Sequence, residues 1–83
     1  MFSVYVLKMS NGQLYTGYTD NLKRRLSQHQ TGESAFTKKY LPVSLVYCEV
    51  YKSKLDAMER ERKLKQHKKG FAQLRNRIKR SLN

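Results

Sequence analysis

The sequence is poor in the devices that staple small proteins. One cysteine, Cys48, and two histidines in 83 residues exclude an internal disulfide and a zinc cage of the usual nitrogen and sulfur ligands. No apolar run approaches the ~20 residues that span a bilayer. The N-terminus enters the alternating run FSVYVLKM directly, with no basic region leading into a long apolar segment. The expectation is a reducing, cytoplasmic setting without a membrane partner. No internal repeat or low-complexity segment is evident, and a chain this short buries one modest core, so one domain over residues 1–83 is expected.

Acidic residues are scarce as well. Six Asp+Glu face 18 Lys+Arg, a formal charge of +12, and the excess is concentrated toward the C-terminus. Residues 1–50 carry six basic and three acidic groups, whereas residues 51–83 carry twelve and three. Such a balance suits a polyanion, because each neutralised phosphate releases condensed counterions. The plain alternative is a solvated helical surface.

What is present reads as strands followed by helices. VYVLKM and QLYTGYT are β-branched and aromatic runs around Ser-Asn-Gly, which predicts an antiparallel hairpin over 3–19 with an Asn-Gly turn. Alternation puts Tyr5 and Leu7 on one face of the first strand. On the second, Tyr15 and Gly17 share a face opposite Leu14, Thr16 and Tyr18. A glycine within a strand marks a place where a ligand or another backbone comes close. TDNLKRRLSQHQTG predicts a helix over about 20–31, capped by Asp20 or Thr19 and stopped by Gly32. Its Leu22 and Leu26 form one stripe, and Arg25 and His29 form another beside it. ESAFTKKYLP reads as a loop ending at the single proline, Pro42, and SLVYCEVY as a third strand over about 44–51.

Two helices are expected after that, over about 54–69 and 71–82. The first opens with a Ser53–Asp56 capping box and stops at Gly70, and the second carries Phe71, Leu74, Ile78 and Leu82 at helical spacing. At ~100° per residue, Leu55, Ala57, Met58 and Leu64 outline an apolar arc with Glu61 within about 20° of its centre and Glu59 nearly opposite. An inward carboxylate needs a partner. Either it pairs with Arg25 or another basic group, or it holds a hard divalent cation such as Mg²⁺, which takes few protein oxygens and completes its shell with water and phosphate.

Phosphodiester hydrolysis needs a base for water, cationic or metal stabilisation of the phosphoryl oxygens, and relief of the leaving alkoxide. Tyr5 or Tyr15 could supply a phenol or phenolate, Arg25 a forked phosphate clamp, and His29 a proton carrier. Each has a bland counterpart: tyrosines pack in strands, an arginine on a helix is solvated, and a lone histidine is polar surface. A phenol acts as a base near neutrality only if its pKa falls below ~10, through a nearby metal or arginine.

These residues, in this order, resemble the GIY-YIG nuclease superfamily, in particular its small single-domain bacterial members related to the excinuclease catalytic domain. The first motif triplet is Ser3-Val4-Tyr5 and the second Tyr15-Thr16-Gly17. The helix arginine falls on Arg25, the following histidine or tyrosine on His29, and the metal-binding glutamate on Glu61 in AMERERKLK. Ser3 and Thr16 replace the glycine and isoleucine that name the motif, and Tyr18 stands where excision-repair relatives carry lysine.

The resemblance implies an α+β fold, a three-stranded antiparallel sheet flanked by helices. It implies one Mg²⁺ or Mn²⁺ ion on Glu61, Tyr5 preparing the attacking water with Tyr15 assisting and His29 in support, and Arg25 on the scissile phosphate. Gly17 would let the phosphate backbone approach the sheet. The activity implied is a metal-dependent endonuclease on DNA, in repair or processing, with little sequence preference. Lys63, Lys65, Lys68, Lys69, Arg75, Arg77, Lys79 and Arg80 would hold the duplex by its backbone. DNA is favoured over RNA, and a partner protein could deliver the substrate. The competing reading is a nucleic-acid-binding module with an idle site. The expectation is that hydroxyl, guanidinium and carboxylate groups converge on one open hollow.

Overall fold

The structure, a computed structural model, describes all 83 residues. In chain order it holds β1 (Phe2–Lys8), β2 (Leu14–Thr19), α1 (Leu22–Gln30), a 3-10 turn (Thr37–Tyr40), β3 (Ser44–Tyr51), α2 (Lys54–Gln66) and α3 (Lys68–Arg77). The sheet order is β2-β1-β3, antiparallel throughout. This is the α+β architecture expected. β1 is the central strand and is covered on both sides, so residues 3 to 7 are all buried, as a strand between two layers must be.

Period-two alternation divides the core in two. Val4 and Val6 face Ala57 and Leu64 of α2 and Leu74 and Ile78 of the C-terminal segment. Tyr5, Leu7 and Met9 face the other way, toward Leu22 and Leu26 of α1 and toward Tyr15, Tyr40 and Val43. The segment before β3 closes this second layer: the Ser10 amide donates to the Tyr40 carbonyl at 2.8 Å. On the opposite side, the Lys8 ammonium donates to the Leu82 carbonyl at 2.6 Å and ties the chain's end to the sheet.

Local chemistry differs from expectation at four places. Asn11 does not enter the left-handed region; Gly12 alone does, at φ 84°. The Gly12 amide reaches the Met9 carbonyl and the Met9 amide reaches the Gln13 carbonyl, both at 2.9 Å, which is a wider hairpin connection than a two-residue turn. Second, α1 is capped by Asn21, whose side chain accepts from the Arg24 amide at 3.0 Å. Thr19 is occupied with the Asn21 backbone, and Asp20 pairs with Arg24. Gly32 does end that helix region, at φ 83°.

Third, α2 and α3 separate at His67, whose backbone is extended, and not at Gly70, which lies inside α3; α3 then ends at Arg77. Ser53 holds the cap position of α2, but its hydroxyl makes no cap bond. Fourth, the apolar arc on α2 is narrower than expected. Leu55 is 74% exposed and Met58 is also exposed, while Ala57 and Leu64 are buried. The buried stripe is therefore centred between Ala57 and Leu64. Glu61 sits about 50° to one side, at its border, and Leu55 lies nearly opposite.

The carboxylate held most firmly is one that pattern reading passes over. Glu49 on β3 accepts from Arg60 of α2 through Nε at 3.0 Å and Nη2 at 3.0 Å, and from the hydroxyls of Tyr47 and Tyr51. Tyr47, Glu49 and Tyr51 alternate on one face of the strand, so one helix arginine meets all three. Burial alone would raise the Glu49 carboxyl, but Arg60 and the two phenols outweigh it and hold the group below the ordinary range. Burial and the Glu49 charge push Tyr47 up to about 12. This cluster docks α2 on the sheet with its Glu61 border turned toward β2.

Candidate active site

Tyr5 and Gly17 are direct cross-strand partners. A Cβ at Gly17 would lie 2.5 Å from the Tyr5 hydroxyl oxygen and 2.7 Å from the ring carbon that bears it. The absent side chain is thus filled by the phenol. Gly17 is buried and gives room to Tyr5, which corrects its expected role as a landing place for phosphate backbone.

Passing over Gly17, the Tyr5 hydroxyl meets His29 Nε2 at 2.9 Å, and His29 Nδ1 meets the Thr37 hydroxyl at 2.8 Å. Tyr5 is 2% exposed, and His29 and Thr37 are wholly buried. Three elements converge here: β1 carries the phenol, the last turn of α1 carries the imidazole, and the 3-10 turn carries Thr37. Both ring nitrogens are satisfied, so His29 is fixed in orientation. The ring of Tyr15 stands edge-on to His29, with centroids 5.2 Å apart.

Electrostatics keep both members of this chain neutral. Burial raises the Tyr5 phenol; neighbouring Arg25 opposes it, while Tyr15 and Glu61 add to the rise. Burial and then the Arg25 charge lower His29. Ordinary phenol and imidazole values already differ by ~3.5 units, about 5 kcal/mol against moving a proton from Tyr5 to His29. Both shifts widen that gap. The resting pair is phenol and neutral imidazole, and Arg25 by itself does not make Tyr5 a base.

Arg25 and Glu61 thus both lie within electrostatic reach of the phenol, but the single open hollow expected from the sequence is not formed: the groups stand around a buried phenol and do not share a cavity. Arg25 is half-buried, bonded through Nη1 to Gln28 at 3.2 Å. It lines a hollow of about 440 Å³ with Phe2, Tyr18, Thr19, Asp20 and Lys54. Tyr15 and Lys65 line a separate groove of about 610 Å³. Glu61 lines neither. Its side chain is 20% exposed, and Lys65 Nζ lies 3.5 Å from Oε2 and 5.9 Å from the Tyr15 ring centre. Glu59, by contrast, is solvent-facing and pairs with Arg62.

The basic residues do not make one surface either. Lys65, Lys68 and Arg75 surround the groove beside Tyr15. Lys63 lies 3.8 Å from Glu59. Arg77 shares a small hollow with Arg60, because residues two apart on a helix point ~200° away from each other. Lys69 is exposed and lines none of these hollows. Two polar residues of the site escape a reading of the sequence. Thr37 has no linear signal, and Lys54 stands beside Arg25 only because α2 begins there.

Known proteins share this architecture. The family described as the GIY-YIG catalytic domain matches residues 1–79. A UPF0213 protein of Streptococcus agalactiae is 52% identical over 64 residues, covering 76% of this chain and 73% of its own. A UPF0213 protein of Halobacterium salinarum is 43% identical over 67 residues, covering 80% and 87%. Among solved structures, the solution NMR structure of a UPF0213 protein from Bacillus halodurans is similar with a TM-score of 0.58 and 34% identity, over 89% of this chain and 82% of that one.

Proposed function

The chain belongs to the GIY-YIG catalytic-domain family, and from that premise we propose that it is an endonuclease that hydrolyses DNA phosphodiester bonds with one divalent cation, Mg²⁺ or Mn²⁺, held by Glu61. The observation that carries the reading is the buried Tyr5–His29–Thr37 chain, with Arg25 and Glu61 both acting on its phenol. A hydroxyl buried only for packing needs one hydrogen-bond partner, but not an imidazole that is itself held from its far side, nor a charge of each sign nearby.

The donor set fits such an ion. Glu61 lies at the border of its helix stripe, partly open, with only an exposed lysine to displace. No three acidic, histidine or cysteine side chains cluster elsewhere to cage a metal. A hard cation that takes one carboxylate and fills its shell with water and phosphate suits that single acid. An ion held there would supply positive charge that offsets the charge growing on the phosphoryl oxygens.

The chain's own residues do the rest. Arg25 clamps the scissile phosphate, with Lys54 as a second cation in the same hollow. Tyr5 orients the attacking water and, as its oxygen takes the water's proton, passes its own hydroxyl proton to the neutral His29 Nε2. His29 steadies the phenol from Nε2, and Thr37 fixes the imidazole from the far side. Tyr15 packs against His29 and limits its swing. Lys68 and Arg75 hold flanking phosphates without reading bases, which favours weakly sequence-specific cleavage in DNA repair or processing.

The test is nicking of supercoiled plasmid and of branched or flapped oligonucleotides in Mg²⁺, Mn²⁺ or EDTA. Cleavage is expected with either metal and absent in EDTA. Glu61→Gln and Arg25→Ala should each lower it about 100-fold or more, the scale of losing one transition-state charge contact. Nicking that survives both substitutions unchanged would belong to a contaminant and end the assignment.

A further inference from the structure

The groove beside the site has a composition that phosphate binding alone does not explain. Its apolar lining includes Leu14, Tyr15, Phe36, Leu64 and Phe71. Phe36 is 57% exposed, with its ring tilted against Tyr15 at 5.5 Å and against Tyr40 at 6.1 Å. A phenylalanine on a mainly polar surface, continuous with a row of aromatic rings, offers a flat apolar face to something outside the chain. Lys65, Lys68 and Arg75 stand around that face, and no acidic residue lines the groove.

An intact duplex presents phosphates and sugars, while its base faces are stacked away. It could use the three cations but not the aromatic lining. An unpaired nucleotide uses both, since its base has a π-face and its phosphates meet the cations. We propose that this groove receives an unpaired base of the substrate strand, stacked on Phe36, with the adjoining phosphates on Lys68 and Arg75. The proposal deepens the nuclease reading and rests on it for the polymer. It assigns the substrate class as DNA with a single-stranded or splayed segment next to the scissile bond. Tyr15, shared between the groove lining and the His29 contact, sets the two sites side by side.

The experiment measures binding in EDTA, so cleavage plays no part. The probes are a single strand, the matching duplex and a flap carrying 2-aminopurine at the unpaired position, read by anisotropy and by base fluorescence. The wild-type chain should bind the single strand and flap more tightly than the duplex and quench the unpaired base. Phe36→Ala and Phe36→Leu should weaken single-strand binding by about tenfold, the scale of one lost stacking contact, with duplex affinity unchanged. Phe36→Tyr should behave as wild type. An abasic residue at the same position should reproduce the Phe36→Ala loss without touching the protein.

Equal affinity for single strand and duplex would overturn the proposal. So would an abasic strand held as tightly as the intact one, which would leave the groove to phosphates or to an apolar protein segment. Absence of nicking on every substrate, with these binding results intact, would instead remove the nuclease reading alone.

Discussion

Gly17→Ala is the smallest change that tests how the site is built. The added methyl carbon would lie 2.5 Å from the Tyr5 oxygen, 2.7 Å from Cζ and 3.2 Å from Cε1. Two of those contacts are inside any distance that carbon tolerates. The phenol cannot swing aside cheaply, because it is rigid, buried, and held to His29. Overpacking of this kind costs about 1–3 kcal/mol, and a displaced hydroxyl–imidazole bond adds about 0.5–1.5 kcal/mol. The expected loss is about 2–4 kcal/mol, with each kcal/mol lowering the melting midpoint by about 4–8 °C in a domain of this size. The variant should remain folded at low temperature and lose nicking activity.

A double-mutant cycle in urea localises the cost. Tyr5→Phe removes the oxygen but leaves Cζ at 2.7 Å, so Gly17→Ala should still destabilise by more than about 1 kcal/mol in that background. Tyr5→Leu removes the ring, and there the alanine should cost almost nothing. If Gly17→Ala leaves the wild-type midpoint unmoved, or costs as much in the Tyr5→Leu background as in the wild type, the glycine does not exist to house the phenol.

Thr37→Val preserves shape and removes the partner of His29 Nδ1. It should cost about 1–3 kcal/mol and lower kcat with KM unchanged; a raised KM alone would contradict a role behind the phenol. His29 is held neutral, so its lowered pKa gives stability that is complete above ~6.5 and is lost as pH falls below it, by at most about 1.4 kcal/mol per pH unit. His29→Gln should remove that slope from urea midpoints between about pH 7.5 and 5.5. Glu49 has a lowered carboxyl, so its contribution is complete above ~4.3 and lost on further acidification. Glu49→Gln should flatten the limb below about pH 4.5 and cost about 1–3 kcal/mol, short of a fully buried pair because Arg60 is partly open. Nucleic-acid affinity should fall steeply and log-linearly with salt, and a flat titration would show that the basic charge does not drive binding.

Strand alternation and helix spacing are enough to place Tyr5, Tyr15 and Gly17 on one face and Arg25 beside His29, because those relations are local and periodic. They also separate Glu61 from Glu59. What they cannot do is weigh apolar residues by tertiary position. Leu55 and Met58 enter the arc for being apolar, yet α2 is turned by Arg60 gripping Glu49, and that ion pair joins residues with no periodic relation. Thr37 is invisible for the same reason: it reaches His29 only once the loop folds back over the sheet. The basic tail reads as one patch because composition carries no azimuth. Helical phase divides it, sending Arg75 to the groove and Arg77 to Arg60.

The sheet's phenol is completed by two partners, His29 and Thr37, that follow it in the chain and come from different elements. A nascent polypeptide that has formed only its first hairpin exposes the hydroxyl but has no imidazole against it, and one that has added the first helix still has an unbraced ring. The hydrogen-bonded chain therefore needs the hairpin, the first helix and the 3-10 turn together, all drawn from the first 40 residues, whereas Glu61 joins them only once α2 has docked on the finished sheet.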